Sequence, residues 1–236
     1  MATVDSLATD VQNWVFAGVT GSATVLSATQ CGEFINTAIR RLQRHHRWQF
    51  QITKTVLTIP GQTVASVTLP SDFVVELAVA SIDTSQSAPS SSYVPIQKCL
   101  EWQWFDAVDP LATRDPQYPA IMATLNLTLA QDRRYYFLVN DQLWIVPTPS
   151  SAITVLLEYE RTLADLVTGQ SPAMSNAFTL RYPDVVRAGA IVEAAAYLQD
   201  QQQTAVWDAI FGKRLEEAVR HDNAVASGGQ GGSRGK

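Results

Sequence analysis

Histidine and cysteine are scarce in this chain, which has three histidines and two cysteines among its 236 residues. Cys31 and Cys99 lie far apart and outside any CxxC spacing, so we interpret them as free core thiols rather than a disulfide. His45 and His46 are adjacent, and on a helix adjacent side chains diverge by about 100°, unlike a chelating pair four residues apart. His221 stands alone. We therefore expect neither a metal site nor a cofactor.

The motifs of catalytic and nucleotide-binding sites are also missing. The sequence contains no GxGxxG, P-loop or GxSxG pattern, and no strand leads into the glycine-rich segment 228–232. Aspartates and glutamates are scattered, without the nucleophile, base and orienting group that catalysis requires. We predict that the chain is not an enzyme.

Long apolar runs and an excess of positive charge are lacking as well. No run approaches the roughly 18 apolar residues of a membrane span. The first residues, MATVDSLATD, have neither the basic nor the apolar region of a secretory signal. The formal net charge of −5 argues against a dedicated nucleic-acid binder, which usually presents a basic face. We expect no membrane association.

Helical periodicity occupies the N-terminal part of the chain. The first helix is predicted from about Asp5 to Ala17. A second helix begins after Ser27, which with Gln30 three residues later forms a capping box that satisfies two free amides at the helix start. Its apolar face consists of residues at helical spacing, namely Cys31, Phe34, Ile35, Ala38, Ile39 and Leu42.

Between Gln51 and about Arg161 the hydrophobic period changes to two, which indicates strands. The segments QITKTVLTI and QTVASVTLP flank the turn pair Pro60-Gly61, so we predict that they form a hairpin. FVVELAVASI is a third predicted strand.

A second antiparallel set is predicted from three later segments. RRYYFLV and QLWIVP flank Asn140-Asp141, and AITVLLEYER follows Pro149. Short strands that are joined by short turns favour a sandwich or a partly open barrel over a parallel sheet.

Helical periodicity returns at Tyr182, with Pro183 at the first helical position, where its missing amide costs nothing. This helix is rich in alanine and glycine, so neighbours can approach it closely. A polar joint, Gln199 to Gln203, precedes a last helix with the apolar stripe Val206, Trp207, Ile210, Phe211, Leu215, Ala218 and Val219. The final SGGQGGSRGK cannot bury a core and should be flexible alone.

The fold class that these patterns predict is α+β. The apolar stripes of the terminal helices need partners, so we expect an antiparallel helical bundle with an inserted antiparallel β-sandwich or barrel-like domain. The predicted boundaries are 1–50 for the N-terminal helices, 51–165 for the inserted β domain, 166–225 for the C-terminal helices and 226–236 for a Gly-rich extended tail.

Two side-chain clusters are candidate interaction sites. The run RRLQRHHRW contains a basic cluster made of Arg40, Arg41, Arg44 and Arg47. It could contact phosphates or an acidic partner face, or it could be a solvated helix end whose cations complement the helix dipole. The aromatic residues Trp102, Trp104 and Phe105 could stack on sugars or bases, or they could belong to a core or a subunit interface.

Four features follow one another along the chain. ATQCGEFINTAIRRLQRHHRWQF is an Asn-containing amphipathic helix that ends in basic residues and an aromatic, and TLPSDFVVELAVASI starts a strand with Leu-Pro-x-Asp-Phe. DPQYPAIMA and DQLWIVPTPSSAITVLLEYERTL look like paired strands with a Pro-x-Pro exit. The closing helix pair is RYPDVVRAGAIVEAAAYLQDQQQTAVWDAIFGKRLEEAV. In this order the segments resemble bacteriophage head-to-tail adaptor proteins, the connector or tail tubular protein A-like family.

This resemblance, which spans about residues 1–225, implies a structural virion protein without catalytic, cofactor-binding or metal-binding residues. It implies a homo-oligomer, a dodecameric ring bound below the portal, which extends the DNA channel through which the genome is ejected. The implied partners are the portal protein, a downstream tail or nozzle protein, and genomic DNA that passes through the lumen without sequence-specific binding. The implied location is the virion, assembled in the cytoplasm of the host bacterium.

The Gly-rich tail could be held by a neighbouring protein of the implied ring and portal. We expect the segment from about Ser227 to dock on the portal, with Arg234 and Lys236 pairing with acidic groups. The portal-interface candidates are Ser227, Gly228, Gly229, Gln230, Gly231, Gly232, Ser233, Arg234, Gly235 and Lys236. The alternative function is a carbohydrate- or peptide-binding tail or decoration module with an aromatic β surface, which requires Trp102 and Trp104 to be exposed.

Overall fold

A computed structural model of the chain describes residues 2–18, 26–61, 65–82, 93–98, 134–146 and 149–228. Cys99 and the segment DPQYPAIMA lie outside these residues. Five α-helices and two four-stranded sheets are present in the described part, which confirms the α+β class. The chain divides into two compact units. The helical unit combines the residues up to Gln51 with those from Thr162 onward, and the β unit is Ile52–Arg161.

The helices belong to the helical unit. Their bounds are Val4–Gly18 for α1, Ala28–His45 for α2, Ala177–Arg181 for α3, Pro183–Tyr197 for α4 and Gln201–Gly228 for α5. The predicted capping box is confirmed, because Ser27 and Gln30 each accept the other's backbone amide. Periodicity does not indicate α3, because a helix of five residues is too short to show a stripe. Its N-cap Asn176 accepts the amides of Phe178 and Thr179.

Two boundaries in the C-terminal part differ from the prediction. The joint between α4 and α5 is shorter than the Gln199–Gln203 segment, because α5 begins at Gln201 and Gln199 turns the chain with a φ of 58°. Helix α5 also includes Ser227 and Gly228, so these two residues are helical rather than extended. At 28 residues the helix is about 42 Å long.

Small residues in α4 allow close packing inside the chain. Helix α4 packs against α1, α2 and α5, and Ala188, Gly189, Ala190, Ala194 and Ala195 are all buried there. The thin helix predicted from the sequence therefore brings neighbouring helices of the same subunit together.

Polar side chains of α2 hold the segment that returns from the β unit. Buried Asn36 accepts the backbone amide of Leu166 and donates to its carbonyl oxygen, both at 2.9 Å. The Gln43 side chain accepts the amide of Leu163 at 2.9 Å. These bonds satisfy backbone groups that would otherwise be buried without partners.

Trp48 is the centre of an aromatic cluster at the end of α2. Its side chain is fully buried, and its indole N–H donates to the carbonyl oxygen of Leu42 at 2.9 Å. The rings of Phe50, Phe178 and Tyr182 lie 5.1–5.8 Å from it, centroid to centroid. The cluster thus joins the end of α2 to α3 and the start of α4.

The β unit contains eight strands among the described residues. Their bounds are Ile52–Ile59 for β1, Ser66–Thr68 for β2, Phe73–Ile82 for β3, Tyr93–Pro95 for β4, Gln97–Lys98 for β5, Tyr135–Val139 for β6, Gln142–Val146 for β7 and Ile153–Arg161 for β8. One sheet has the order β1-β8-β3-β4 and the other has the order β2-β7-β6-β5. The β6–β7 hairpin is confirmed, with Asn140 and Asp141 both at positive φ in its turn.

The predicted hairpin around Pro60-Gly61 is wrong. Strand β1 pairs with β8 along its whole length, and β2 pairs with β7 in the other sheet. An eight-residue strand gains more ladder hydrogen bonds from the nine-residue β8 than from the three-residue β2. The predicted second set is right for β6 and β7, but its third strand is misplaced, since β8 lies between β1 and β3 in the other sheet. One pair, β5 with β6, is parallel.

Inward-facing residues of both sheets form one apolar cluster. It includes Ile59, Val79, Leu143, Ile145, Val155 and Leu157. The opposite face of the first sheet carries an apolar row in register across all four strands, made of Val56, Leu156, Ala80 and Pro95.

Gly189→Ala is expected to destabilise the helical unit. A Cβ at this position would lie 2.9 Å from the Cβ of Ala38 and 3.0 Å from a ring carbon of Phe211. Overpacking of this kind costs about 1–3 kcal/mol, which exceeds the roughly 1 kcal/mol that alanine gains over glycine in a helix. Chemical denaturation should show a lower free energy of unfolding.

Gly212→Ala in α5 is the matched control for this variant. A Cβ at Gly212 meets no atom within 4 Å, so the variant should be more stable by up to about 1 kcal/mol. Equal stabilisation by both substitutions would contradict the close packing of α4.

Tyr136→Phe is expected to reduce the loss of stability at alkaline pH. Burial, and secondarily the charge of Glu76, raises the pKa of Tyr136 to about 12. The unfolded chain releases this proton near pH 10 while the folded chain keeps it, so stability falls as the pH rises from about 10 to about 12. The substitution should remove about 2 kcal/mol of that fall in urea titrations. Tyr93→Phe, at an exposed tyrosine of β4, should not change it.

Candidate functional site

The basic cluster lies at the end of α2, as predicted, where cations complement the helix dipole. The structure gives its arginines different environments. Arg40 forms a two-bond ion pair with Asp165, in which its Nε lies 3.1 Å from Oδ1 and its Nη2 contacts Oδ2. The hydrogen bond and charge of Asp165 raise the pKa of this guanidinium. Arg40 is therefore engaged within the subunit, although both partners are exposed.

Arg41 connects α2 to α5. Its Nη2 lies 3.1 Å from Oδ1 of Asp208, and its guanidinium carbon lies 4.7 Å from the centroid of the Phe211 ring. The arginine thus makes an ion pair and a cation–π contact with residues one turn apart on the same helix.

An open groove of about 440 Å³ runs between α2 and α5 beside this contact. Its α2 side is lined by Arg41, Arg44 and His45, and its α5 side by Asp208, Phe211, Gly212 and Leu215. Arg44 is exposed and forms no ion pair with any described residue. Phe211 and Leu215 are buried in the helical core, so they present only their outer edges to the groove.

A buried carboxylate lies further along α5. Asp222 is only 1% exposed, and its Oδ2 accepts the backbone amide of Gln49 at 3.1 Å and lies 3.2 Å from Nε2 of His46. The His46 ring also packs edge-on against Trp48, with centroids 5.0 Å apart. Periodicity did contain a signal for this residue. Asp222 follows Phe211, Leu215 and Ala218 at helical spacing, and a carboxylate on an apolar stripe requires a partner.

The neighbouring Tyr182 and His221 extend this polar junction towards the surface. The Tyr182 hydroxyl lies 3.2 Å from Nδ1 of His221. Burial, and then the charge of Asp222, raises the pKa of Tyr182. These groups join α5 to the start of α4.

The other residues predicted from the sequence lie elsewhere or outside the described part of the chain. Ser227 and Gly228 are the last residues of α5, whereas Gly229 to Lys236 lie outside the described residues, as do Trp102, Trp104 and Phe105. Cys31 is a buried free thiol, as predicted, and burial raises its pKa. Arg47 is exposed beyond the end of α2.

Chemistry of other kinds has little support in the described part of the chain. No group of three or more histidine, cysteine, aspartate or glutamate side chains there could hold a metal ion. Among the helices that the structure describes, none has the length and apolar character needed to cross a membrane. The groove, between α2 and α5, and the buried junction, between α5 and the segment that follows α2, therefore remain the candidate sites.

His46→Ala should destabilise the chain, because the buried carboxylate of Asp222 would lose one of its two described partners. The expected loss is about 1–3 kcal/mol in the free energy of unfolding, measured by urea denaturation at neutral pH. The double variant with Asp222→Ala should cost less than the sum of the two single variants, with a coupling of about 1 kcal/mol or more. Strict additivity would mean that the two side chains do not interact.

Comparison with known proteins gives one family. The family model described as SU10 adaptor protein matches residues 2–232, and so extends over the helical unit and the β unit alike. The family is one of phage head-tail adaptors, which is not a class of enzymes. No curated protein matches the sequence. The resemblance seen in the ordered segments is thereby confirmed, and the chain belongs to the SU10 adaptor protein family.

Proposed function

We propose that this chain is the subunit of a dodecameric ring that joins the portal of a bacteriophage to its tail and extends the DNA channel. The observation that carries the proposal is the family match over residues 2–232, because it extends over both units of the chain. The ring forms in the cytoplasm of the host bacterium, remains in the virion and conducts the genome during ejection.

In this proposal the helical unit is the frame of the subunit. Its helices form a bundle, and the β unit, Ile52–Arg161, is a domain inserted into it. The support is the shared core, in which Val11 of α1, Leu42 of α2, Ile191 of α4 and Phe211 of α5 belong to one buried cluster. Because both ends of the chain contribute, neither can separate without exposing apolar surface.

Assembly requires surfaces for other chains, and the β unit offers one. The apolar row Val56, Leu156, Ala80 and Pro95 runs across the outer face of the first sheet, and Val56 is 56% exposed. The ion pair of Lys54 and Glu158, with 3.2 Å between nitrogen and oxygen, borders this row. Val56 and Pro95 are exposed, and Leu156 and Ala80 between them are partly exposed. An apolar row with a polar border is typical of protein interfaces.

The charge of the chain fits a DNA conduit. The net charge of −5 would keep a lumen from binding phosphates tightly and holding the genome back. The partners in the particle are further copies of the chain, the portal and a downstream tail or nozzle protein, and DNA passes without sequence-specific binding.

Two groups of residues are the proposed contacts with these partners. One is the basic cluster of Arg40, Arg41, Arg44 and Arg47, where Arg44 retains an exposed charge. The other is the tail from Ser227 to Lys236, whose Arg234 and Lys236 would pair with acidic groups of the portal.

Electron microscopy of the purified chain mixed with portal rings tests the proposal. The expected result is a ring stacked coaxially on the portal, with twelve-fold symmetry. Chains that stay monomeric and ignore the portal, at concentrations where the portal is intact, would exclude the adaptor role.

Deletion of residues 229–236 should weaken docking on the portal and leave folding intact, because a glycine-rich segment cannot bury a core. Docking would be measured by co-sedimentation with portal rings, and folding by thermal denaturation. Replacement of Arg234 and Lys236 by serine, in a tail of unchanged length, should also weaken docking, because it removes the charges that would pair with the portal. Unchanged affinity of the truncated chain would show that the tail is not the contact.

A further inference from the structure

The groove between α2 and α5 has basic side chains on one side and an open space over Gly212. Arg41, Arg44 and His45 border it on the α2 side, while the backbone at Gly212 and the edges of Phe211 and Leu215 form its base. Asp208 already neutralises Arg41, so the exposed Arg44 is the cation that remains available to a ligand.

Gly212 creates the empty space in this groove. A Cβ at this position would meet nothing within 4 Å, and the same helix is closely packed one residue earlier, where Phe211 is 1% exposed. The absent side chain leaves room for an aliphatic group of a ligand over Gly212 and beside the exposed edge of Leu215.

We propose that this groove binds a segment of another protein of the particle, in which a carboxylate lies beside a large aliphatic side chain. The aliphatic group lies over Gly212, and the carboxylate pairs with Arg44. Arginine is suited to this role because its planar guanidinium donates several hydrogen bonds to a carboxylate. The inference rests on the proposed adaptor function, which supplies protein neighbours for this surface.

The groove favours a polypeptide over nucleic acid. Asp208 already neutralises Arg41, and Arg40 pairs with Asp165 outside the groove, so few cations are left for the successive phosphates of a nucleic acid. Nucleic-acid sites require a continuous basic stripe, whereas this groove has an apolar base and one unpaired arginine. The tail of the chain itself carries Arg234 and Lys236, so its charge does not suit the groove.

The test uses the full-length chain and a fluorescein-labelled peptide in which glutamates alternate with leucines, followed by fluorescence anisotropy. The unmodified chain should bind the peptide, and high salt should weaken the binding. Arg44→Glu should weaken it about tenfold or more through loss of a charged hydrogen bond. Gly212→Leu should weaken it about as much, because the new side chain fills the groove.

Matched controls separate these effects from general ones. Lys213→Glu makes the same charge change as Arg44→Glu at an exposed position of α5 outside the groove. Ala224→Leu adds a leucine to an exposed position of the same helix, also outside the groove. Both should leave the affinity within about twofold, and thermal denaturation should show that all four variants are folded.

Four results would overturn the inference. The first is absence of peptide binding by the unmodified chain, and the second is equal binding by the groove variants and the controls. The third is tighter binding of oligothymidine that Arg44→Glu abolishes, which would make the groove a phosphate site. The fourth is loss of self-association in Gly212→Leu with peptide binding unchanged, which would make it an interface between copies. Each can occur while the ring still docks on the portal, so failure here is distinguishable from failure of the adaptor function.

Discussion

The buried carboxylate of Asp222 is the constraint on which the arrangement of the terminal helices depends. A charged group that is 1% exposed is stable only with partners, and the described ones, His46 and the amide of Gln49, come from the segment that follows α2. Trp48 lies between these two residues and fills the centre of the aromatic cluster. Residues that are more than 170 positions apart are thereby fixed in one junction.

The groove is a consequence of the same geometry. The junction holds the C-terminal half of α5 beside the end of α2, while Gly189 lets α4 approach Ala38 of α2 and Phe211 of α5. Arg41 then reaches Asp208 and Phe211, and the missing side chain of Gly212 leaves the space beside them open. The proposed contact surface is therefore made of residues that also determine how the helices pack.

The sequence predicts the elements of this fold better than their pairing. Periodicity and the Ser27–Gln30 capping box identify α2, and Asn140-Asp141 identifies a hairpin, because these signals are local. The pairing of β1 with β8 was not predictable, since it joins segments about a hundred residues apart and depends on matching strand lengths. For the site, the basic cluster was visible as a run of arginines, but its ion pairs with Asp165 and Asp208 and the groove over Gly212 follow only from tertiary packing.

The chain belongs to the SU10 adaptor protein family, and in the proposed ring it would occupy the junction between head and tail. Gold-labelled antibodies against the chain, applied to particles of the phage that encodes it and viewed by electron microscopy, test that position directly. If the chain is the adaptor, gold is expected at the single vertex where the tail meets the capsid. Gold on the capsid faces, along the tail or at its tip would contradict it.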